Sequence, residues 1–371
     1  MIPPRHILMT ADTVGGVWTY AVELARGLTA NGIRVSLATM GAPLSREQRS
    51  EVQFGDIQVF ESSYKLEWME NPWQDVDAAG EWLLDLNDRL QPDLIHLNNY
   101  AHGHLDWRAP VLIVGHSCVY SWWRAVYGTT PTIAWMEYRR RLREGLQSAD
   151  MVVGVSRSML RELDRWYGGI RASCVIYNGQ RAGAYEPGAK ADFVFSTGRV
   201  WDEAKNIGAL DLAAPLVRWP IYVAGDAQHP EGGRRSLRHV FPLGKLSGQG
   251  IRPWFARAGI YALPAVYEPF GLSILEAALS GCALVLGDIP SLREIWGDAA
   301  LFVPPPDHEA LALSINLLAS NRGMRENFAT RARERARNFT SDRMVHSYQG
   351  VYPHVRARFQ AAKEERTSCV S

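Results

Sequence analysis

The segment EPFGLSILE at residues 268–276 carries two carboxylates, Glu268 and Glu276, eight positions apart. A strand-like apolar run at 259–265 precedes it, and Gly281 ends the apolar helix pattern that follows. The pattern predicts a strand, a glycine-containing turn and a helix N-terminus. Such an N-terminus directs backbone N–H groups and the positive end of a helix toward one point, which suits a phosphate. From the residues alone, a solvated loop glutamate and a helix-favouring glutamate remain the alternative.

The residues between the two glutamates make the segment specific, because Phe270, Gly271 and Leu272 follow a strand and open a helix. In this context the chain resembles the retaining glycosyltransferases of family 4, which have the GT-B architecture. The segment ALVLGDIP at 283–290 and LFVPPPD at 301–307 are similar to that family as well. The resemblance implies an α/β fold with two Rossmann-like, doubly wound parallel-sheet domains facing across a cleft.

Composition narrows the class of protein. A chain of 371 residues with 47% apolar residues suits two domains with sizeable cores. The formal net charge of +1 argues against a general nucleic-acid binder. The scattered cysteines, the lack of a signal-peptide pattern and the lack of an 18-residue apolar run predict a cytoplasmic protein without a membrane span.

Strand patterns alternate with helix patterns along most of the chain, which is typical of parallel α/β domains. A segment rich in Gly, Ala and Pro at 178–191 indicates a linker. We therefore expect an N-terminal acceptor-side domain at 1–184 and a nucleotide-sugar-binding domain at 185–344. The resemblance implies that the last helix, about 345–371, packs back on the first domain. Pro353 should end or kink that helix, and the tail from Ala361 should fray.

Two cations follow the first strand of the second domain. Arg199 offers a guanidinium fork and Lys205 a point charge, which suits a leaving phosphate as its charge develops. Solvated surface cations are the alternative. The similar run in the family clamps the donor diphosphate, which favours the functional interpretation.

The first domain offers a glycine loop and a histidine. Gly15 and Gly16 join the first strand to the first helix, and either a simple turn or a close approach to a ligand would explain them. His116 follows the strand at 111–114, where a buried, hydrogen-bonded histidine is the alternative to a site residue. His96 also ends a strand, and we expect a structural role for it.

The resemblance assigns roles to these positions. Glu268 would bind donor-sugar hydroxyls with the N–H groups of Phe270, Gly271 and Leu272, and Glu276 would bind the ribose. The remaining donor-side residues would be the diphosphate cations, the sugar-contacting histidine and the glycine loop: Arg199, Lys205, His116, Gly15 and Gly16. The partners are then a UDP- or GDP-sugar and a sugar, lipid-linked or small-molecule acceptor, with no nucleic acid.

Three other interpretations arise, of which the hydrolase and the binding protein stay open as other classes of function. Ser117 lies in a G-x-S-x-V sequence that resembles the nucleophile elbow of an α/β-hydrolase, but Val119 stands where the final glycine belongs. Asp75 and Asp77 form a D-x-D triplet, a form that binds a metal in another transferase architecture, although short matches arise by chance. A non-catalytic GT-B-like protein that binds nucleotide sugars is the third. No cofactor and no metal is predicted.

The acceptor side is the least specific part of the prediction. Trp68 and Trp73 lie in a loop-like segment, where indole rings could stack on sugars, whereas core packing explains most tryptophans. The arginine-rich run at 138–143 fits either a solvated helix face or contact with an anionic acceptor or a membrane surface, which leaves peripheral association with the inner membrane face open. The oligomeric state stays open.

Overall fold

The computed structural model describes residues 3–53, 57–181, 183–228, 232–233 and 236–368. The chain divides into two compact units. The first unit contains residues 1–123, 129–179 and 341–371, and the second contains 124–128 and 180–340. Apart from the short segment 124–128, the chain passes from the first unit to the second between Gly179 and Gln180, inside the segment rich in Gly, Ala and Pro.

The first unit is built on a parallel sheet whose order is β3-β2-β1-β4-β5-β6-β7. Its strands are β1 (His6–Asp12), β2 (Arg34–Met40), β3 (Ile57–Glu61), β4 (Leu94–Leu97), β5 (Val111–Gly115), β6 (Met151–Gly154) and β7 (Ser173–Val175). Strands β1, β4 and β5 are almost wholly buried, which explains their continuous apolar sequences. In the register, Ile7 pairs with Val35 on one side and with Leu94 on the other.

Helices connect these strands, as parallel pairing requires. They are α1 (Gly16–Ala30), α2 (Arg46–Glu51), α3 (Trp73–Leu90), α4 (Val119–Tyr127), α5 (Met136–Ser148) and α6 (Arg157–Tyr167). A short 3-10 helix, Ala101–His104, follows β4. Among the described helices, none combines the length and the apolar content that a membrane span requires.

The second unit repeats the same plan with the sheet order β10-β9-β8-β11-β12-β13. Its strands are β8 (Ala191–Thr197), β9 (Ile221–Ala224), β10 (Phe241–Gly244), β11 (Ala258–Leu263), β12 (Ala283–Gly287) and β13 (Leu301–Val303). Its helices are α7 (Ile207–Ala213), α8 (Gly248–Arg257), α9 (Leu272–Leu279), α10 (Pro290–Trp296), α11 (His308–Ser320) and α12 (Arg322–Ala336). Two doubly wound parallel sheets are thus present, as predicted.

In each sheet the chain order reverses beside the first strand, between β1 and β4 and between β8 and β11. Ligands of open α/β sheets bind at the carboxyl ends of strands next to such a reversal. Every donor-side residue proposed from the sequence follows β1, β5, β8 or β11. The topology therefore brings these residues to the two edges where a ligand is expected.

The last helix, α13 (Ser341–Ser368), corrects one prediction. It continues through Pro353 and past Ala361, so the helix does not end at the proline. A proline inside a helix costs roughly 3 kcal/mol. The fully buried side chains of Tyr348, Tyr352 and Val355 offset this cost, since each contributes about 1.5–3 kcal/mol.

Candidate active site

The second unit places the carboxylate of Glu268 at the mouth of the β11–α9 loop, where it forms an ion pair with the Lys205 ammonium. Only 12% of the Glu268 side chain and 17% of the Lys205 side chain are exposed. The Ser291 hydroxyl, at the start of α10, donates a 2.6 Å hydrogen bond to the Glu268 carbonyl oxygen. The structure therefore joins two residues that the sequence had only placed in separate motifs.

Gly271 turns the chain from this loop into α9. Its φ of 88° lies in the left-handed region, and a Cβ there would meet Ile274 Cδ1 at 2.7 Å. The helix starts at Leu272, and the buried Phe270 ring packs edge-on against Phe339 at 5.7 Å. The N-terminus of α9, which is the positive end of the helix dipole, therefore directly follows the loop that carries Glu268.

Glu276 lies in the second turn of α9 and is held by uncharged partners. Gln180 Nε2 donates a 2.9 Å hydrogen bond to its Oε1 atom. Tyr185 also hydrogen-bonds this carboxylate, and burial together with the negative charge of Glu276 raises the pKa of the phenol. Two of the groups that hydrogen-bond the Glu276 carboxylate are thus uncharged, which suits a carboxylate that also accepts hydrogen bonds from ligand hydroxyls.

The loop after β8 carries both predicted cations. The Arg199 guanidinium donates a 2.7 Å hydrogen bond to the buried Asp202 and lies 5.0 Å from the centre of the Trp201 ring. Lys205 ends the short 3-10 helix Glu203–Lys205. The next residue, Asn206, donates from Nδ2 to the carbonyl oxygens of Pro264 and Pro305 at 2.9 and 2.7 Å. The loops after β8, β11 and β13 are therefore fastened to one another.

A second close approach shapes the same edge of this sheet. Gly225 follows β9 with a φ of 149°, and a Cβ there would lie 1.7 Å from the carbonyl oxygen of Gly198. The backbone N–H of Gly225 donates to the Gly244 carbonyl at 2.8 Å. Only glycine fits at 225, a requirement that the sequence analysis did not predict. The glycine at the carboxyl end of a strand is the signal that could have suggested it.

In the first unit, the glycine loop lies at the carboxyl end of β1. Gly15 has a φ of 96° and precedes the first residue of α1, Gly16, and both are exposed. The Asp12 carboxylate accepts a 2.5 Å hydrogen bond from the N–H of Val14, which shapes the turn. The loop therefore presents the N-terminus of α1 to solvent without side-chain cover.

His116 follows β5 and is half-buried. Its Nε2 atom lies 2.9 Å from Asn98 Oδ1, and its ring meets the Tyr20 ring edge-on at 4.5 Å. Desolvation lowers the pKa of the imidazole to about 3, so the ring is neutral at pH 7. A neutral imidazole binds hydroxyls by hydrogen bonding rather than by charge.

His96 lies at the end of β4 and is fully buried. Its Nδ1 atom lies 3.1 Å from the Tyr352 hydroxyl and its Nε2 atom 3.2 Å from the Tyr20 hydroxyl. Tyr20 also donates a 2.6 Å hydrogen bond to Tyr348. Three tyrosines from α1 and α13 therefore surround this ring, an arrangement that fits a structural role.

The sequence analysis missed Glu67, a buried carboxyl group in the loop before α3. Its oxygens accept hydrogen bonds from the backbone N–H groups of Tyr100, at 3.1 and 3.2 Å, and of Ala101, at 2.8 Å. Desolvation raises its pKa to about 7, although these hydrogen bonds oppose the shift. Since its partners are main-chain groups, no pattern of side chains could have indicated them.

We expect the stability of the parent to fall relative to Glu67→Gln as the pH rises from about 5 to about 7. The pKa of Glu67 is higher in the folded state, so folding binds a proton in this interval and the free energy of unfolding decreases with pH. The slope approaches roughly 1.4 kcal/mol per pH unit. Urea unfolding of both proteins measures it, with the exposed Glu81→Gln as control. A difference that does not vary with pH would contradict the assignment.

The two tryptophans proposed for the acceptor lie on either side of the bend at 69–71. Trp68 is half-buried next to Glu67, and Trp73 is the first residue of α3. The guanidinium of Arg141 lies 4.7 Å from the centre of the Trp73 ring. Trp73 is therefore already covered by a cation, whereas within the described residues no cation lies over the Trp68 ring.

The structure also places the residues of the rival interpretations. Ser117 is exposed, and within the described residues no histidine hydrogen-bonds its hydroxyl; only its carbonyl accepts a 2.8 Å hydrogen bond, from Tyr100. Asp77 forms an ion pair with Arg141, and Asp75 accepts a 3.3 Å hydrogen bond from the N–H of Lys65. In the part of the chain that the structure describes, no three His, Cys, Asp or Glu side chains are grouped to hold a metal.

Curated relatives match this chain over part of its length. The glycogen synthase of Mycobacterium tuberculosis is 28% identical over 217 residues, which are 53% of this chain and 51% of the relative. The phosphatidyl-myo-inositol mannosyltransferase of the same species is 29% identical over 177 residues, 44% and 47% of the two chains. The O-antigen chain mannosyltransferase B of Escherichia coli is 33% identical over 98 residues, 26% of each. The chain thus spans about a quarter to a half of these relatives.

Solved structures match it over almost its whole length. The sucrose-phosphate synthase of Thermosynechococcus elongatus superposes with a TM-score of 0.78 at 18% identity, covering 95% of this chain and 99% of the other. Anabaena HepE, solved with UDP-glucose, gives a TM-score of 0.72 at 17% identity, covering 92% and 97%. At these low sequence identities, the structural similarity shows that the fold is shared.

Two family models match consecutive parts of the chain. The model of Glycosyltransferase Family 4 matches residues 14–180, and the model of Glycosyl transferases group 1 matches residues 191–321. The matches include the glycine loop and His116 in the first case, and Arg199, Lys205 and the segment at 268–276 in the second. The chain belongs to the family 4 glycosyltransferases, with two parallel-sheet α/β domains of the GT-B type.

Proposed function

We propose that the protein is a retaining glycosyltransferase that moves a sugar from a UDP- or GDP-sugar to an acceptor hydroxyl. The observation that carries the proposal is the largely buried ion pair between Lys205 and Glu268 beside the N-terminus of α9. An ammonium and a helix N-terminus suit a diphosphate, and a carboxylate suits sugar hydroxyls. One side of the pair would bind the leaving group and the other the transferred sugar.

The rest of the donor would bind to neighbouring groups of the second unit. Glu276, with Gln180 and Tyr185 beside it, would accept hydrogen bonds from the two ribose hydroxyls. Arg199 would contact the diphosphate and share it with Lys205. In the first unit, the N-terminus of α1 at Gly15 and Gly16 would approach the diphosphate and the acceptor.

The relatives support a hexosyl donor. Two of them are mannosyltransferases and one is a glycogen synthase, and HepE was solved with UDP-glucose. UDP-glucose and GDP-mannose are therefore the first donors to test.

The proposed reaction breaks the bond between the anomeric carbon and the phosphate oxygen and forms one to the acceptor oxygen on the same face. The acceptor proton passes to the leaving phosphate. Arg199 and Lys205 would stabilise the charge that develops on the diphosphate, so that neither a metal nor a cofactor is needed. His116 would contact the sugar near the reacting carbon, and Trp68 would offer an aromatic face to the acceptor.

We expect nucleoside diphosphate sugars to raise the melting temperature, because a ligand at a hundred times its Kd stabilises a protein by about 2.7 kcal/mol. A thermal-shift screen of UDP-, GDP- and ADP-sugars identifies the donor, and release of the diphosphate in the presence of candidate acceptors measures turnover. EDTA should leave both readouts unchanged.

Other outcomes would select another function. Stabilisation without release of sugar to any acceptor would favour a non-catalytic binding protein. The absence of any shift, together with labelling of Ser117 by a fluorophosphonate, would favour a hydrolase. Loss of turnover in EDTA that Mn²⁺ restores would contradict the metal-independent reaction.

A further inference from the structure

Asn98, the first residue after β4, is fastened to β1 at two points. Its backbone N–H donates to the Thr10 hydroxyl at 2.8 Å, and its side-chain Nδ2 donates to the Thr10 carbonyl at 2.6 Å. Strand β1 extends beyond the end of β4. The side-chain amide of Asn98 therefore donates to β1 where a backbone N–H of β4 would otherwise donate. Asn98 is 8% exposed. The orientation of its amide is therefore set by the sheet.

This orientation determines where the proton of His116 lies. The Thr10 carbonyl can only accept, so a flipped amide would place two acceptor oxygens 2.6 Å apart. Asn98 Oδ1 must therefore face His116, 2.9 Å from Nε2. An amide oxygen also only accepts, so Nε2 must carry the proton. Because a neutral imidazole has a single N–H, Nδ1 is left as an acceptor.

The ring is also held against rotation. Tyr20 meets it edge-on at 4.5 Å, and the Tyr20 hydroxyl is itself held by Tyr348 at 2.6 Å and by His96 at 3.2 Å. Turning the imidazole by half a rotation would replace the Nε2–H donor by a carbon at Asn98 Oδ1. No residue in the described part of the chain hydrogen-bonds Nδ1 of His116, and the residue is half-buried rather than fully enclosed.

We propose that Asn98 is a positioning residue that holds His116 in the Nε2–H tautomer, so that Nδ1 accepts a hydrogen bond from a hydroxyl of the transferred sugar. The identity of that hydroxyl ligand rests on the proposed function, whereas the tautomer does not. In histidine side chains generally, the hydrogen bond that one ring nitrogen makes determines whether the other nitrogen carries a proton.

The tautomer is measured directly by ¹⁵N NMR of histidine-labelled protein, with His116→Asn to assign the resonances. We expect an unprotonated Nδ1 and a protonated Nε2 in the parent. Asn98→Leu removes the acceptor at similar volume and should give a mixture of tautomers. The buried His96 resonance reports that each variant is folded. A proton on Nδ1 in the parent, or an unchanged tautomer in folded Asn98→Leu, would overturn the proposal.

Transfer rates provide the second readout. In His116→Asn the amide can place its oxygen near the position of Nδ1, and in His116→Gln near that of Nε2. We expect His116→Asn to retain at least about tenfold more kcat/KM than His116→Gln, and Asn98→Leu to lose about 10- to 100-fold, the range seen when a supporting residue is removed. Equal loss in the two His116 variants would contradict the role of Nδ1. If the parent transfers no sugar, the proposed function fails, and the NMR result still decides the tautomer.

Discussion

Glu268→Gln is expected to lower sugar transfer by about 10²–10³-fold, the loss seen when one preorganised polar contact to a reacting centre is removed. The glutamine keeps the shape of the side chain, and the Glu268 carbonyl still accepts from Ser291. It loses the negative charge that pairs with Lys205 and that would accept hydrogen bonds from donor-sugar hydroxyls. The initial rate of diphosphate release with donor and acceptor measures the effect.

Stability has to be separated from activity in this variant, because the ion pair is largely buried. Removing one partner of a buried pair costs up to about 3–5 kcal/mol, since the remaining charge stays desolvated. The double variant Glu268→Gln/Lys205→Met removes both charges and should recover most of the lost melting temperature without recovering transfer. Glu326→Gln, which breaks an exposed ion pair with Arg322 on α12, is the matched control. A folded Glu268→Gln that transfers sugar like the parent would show that the site is wrong.

The fold could be predicted from the sequence because the central strands are buried on both faces and are therefore continuously apolar. The strand expected at 111–114 forms β5 (Val111–Gly115), which is one residue longer and buried throughout. The position at which the last helix ends could not be predicted from the sequence. The proline at 353 argues for a break by local preference, and only the packing of Tyr348 and Tyr352 around His96 shows why the helix continues.

The pairing of site residues depended on the order of strands, which the sequence does not state. Lys205 and Glu268 are 63 positions apart and meet because β8 and β11 are neighbours. Motifs that place a charged side chain after a strand therefore predicted the participants but not the ion pair.

Residues that act through the main chain left no pattern to detect. Glu67 binds backbone N–H groups, and Asn98 is oriented by a backbone carbonyl. From the sequence alone, both side chains could equally belong to a solvated loop. Their roles became visible only with the positions of the atoms around them.

Arg199→Ala combined with Lys205→Ala is expected to weaken binding of UDP or GDP by at least about a hundredfold, which corresponds to about 2.7 kcal/mol. Hydrogen bonds to charged groups contribute about 1.5–3 kcal/mol each, so the loss of two cations accounts for this change. The variant also leaves Glu268 without its Lys205 partner beside the site, and a carboxylate there repels a diphosphate. Isothermal calorimetry with the free nucleotides measures the affinity without requiring turnover.

The affinities for ligands with different numbers of phosphates show whether Arg199 and Lys205 bind the diphosphate or whether the double variant has lost the whole site. The double variant should bind the nucleoside almost as the parent does, the monophosphate less well, and the diphosphate with the largest loss, because only the phosphates contact the two cations. Arg322→Ala removes an exposed arginine of the same unit and should leave all three affinities unchanged. Adding Glu268→Gln to the double variant should recover part of the diphosphate affinity, since it removes the repelling carboxylate. Unchanged UDP and GDP affinity in the double variant would instead place the diphosphate elsewhere, and Lys205 would then serve only to neutralise Glu268.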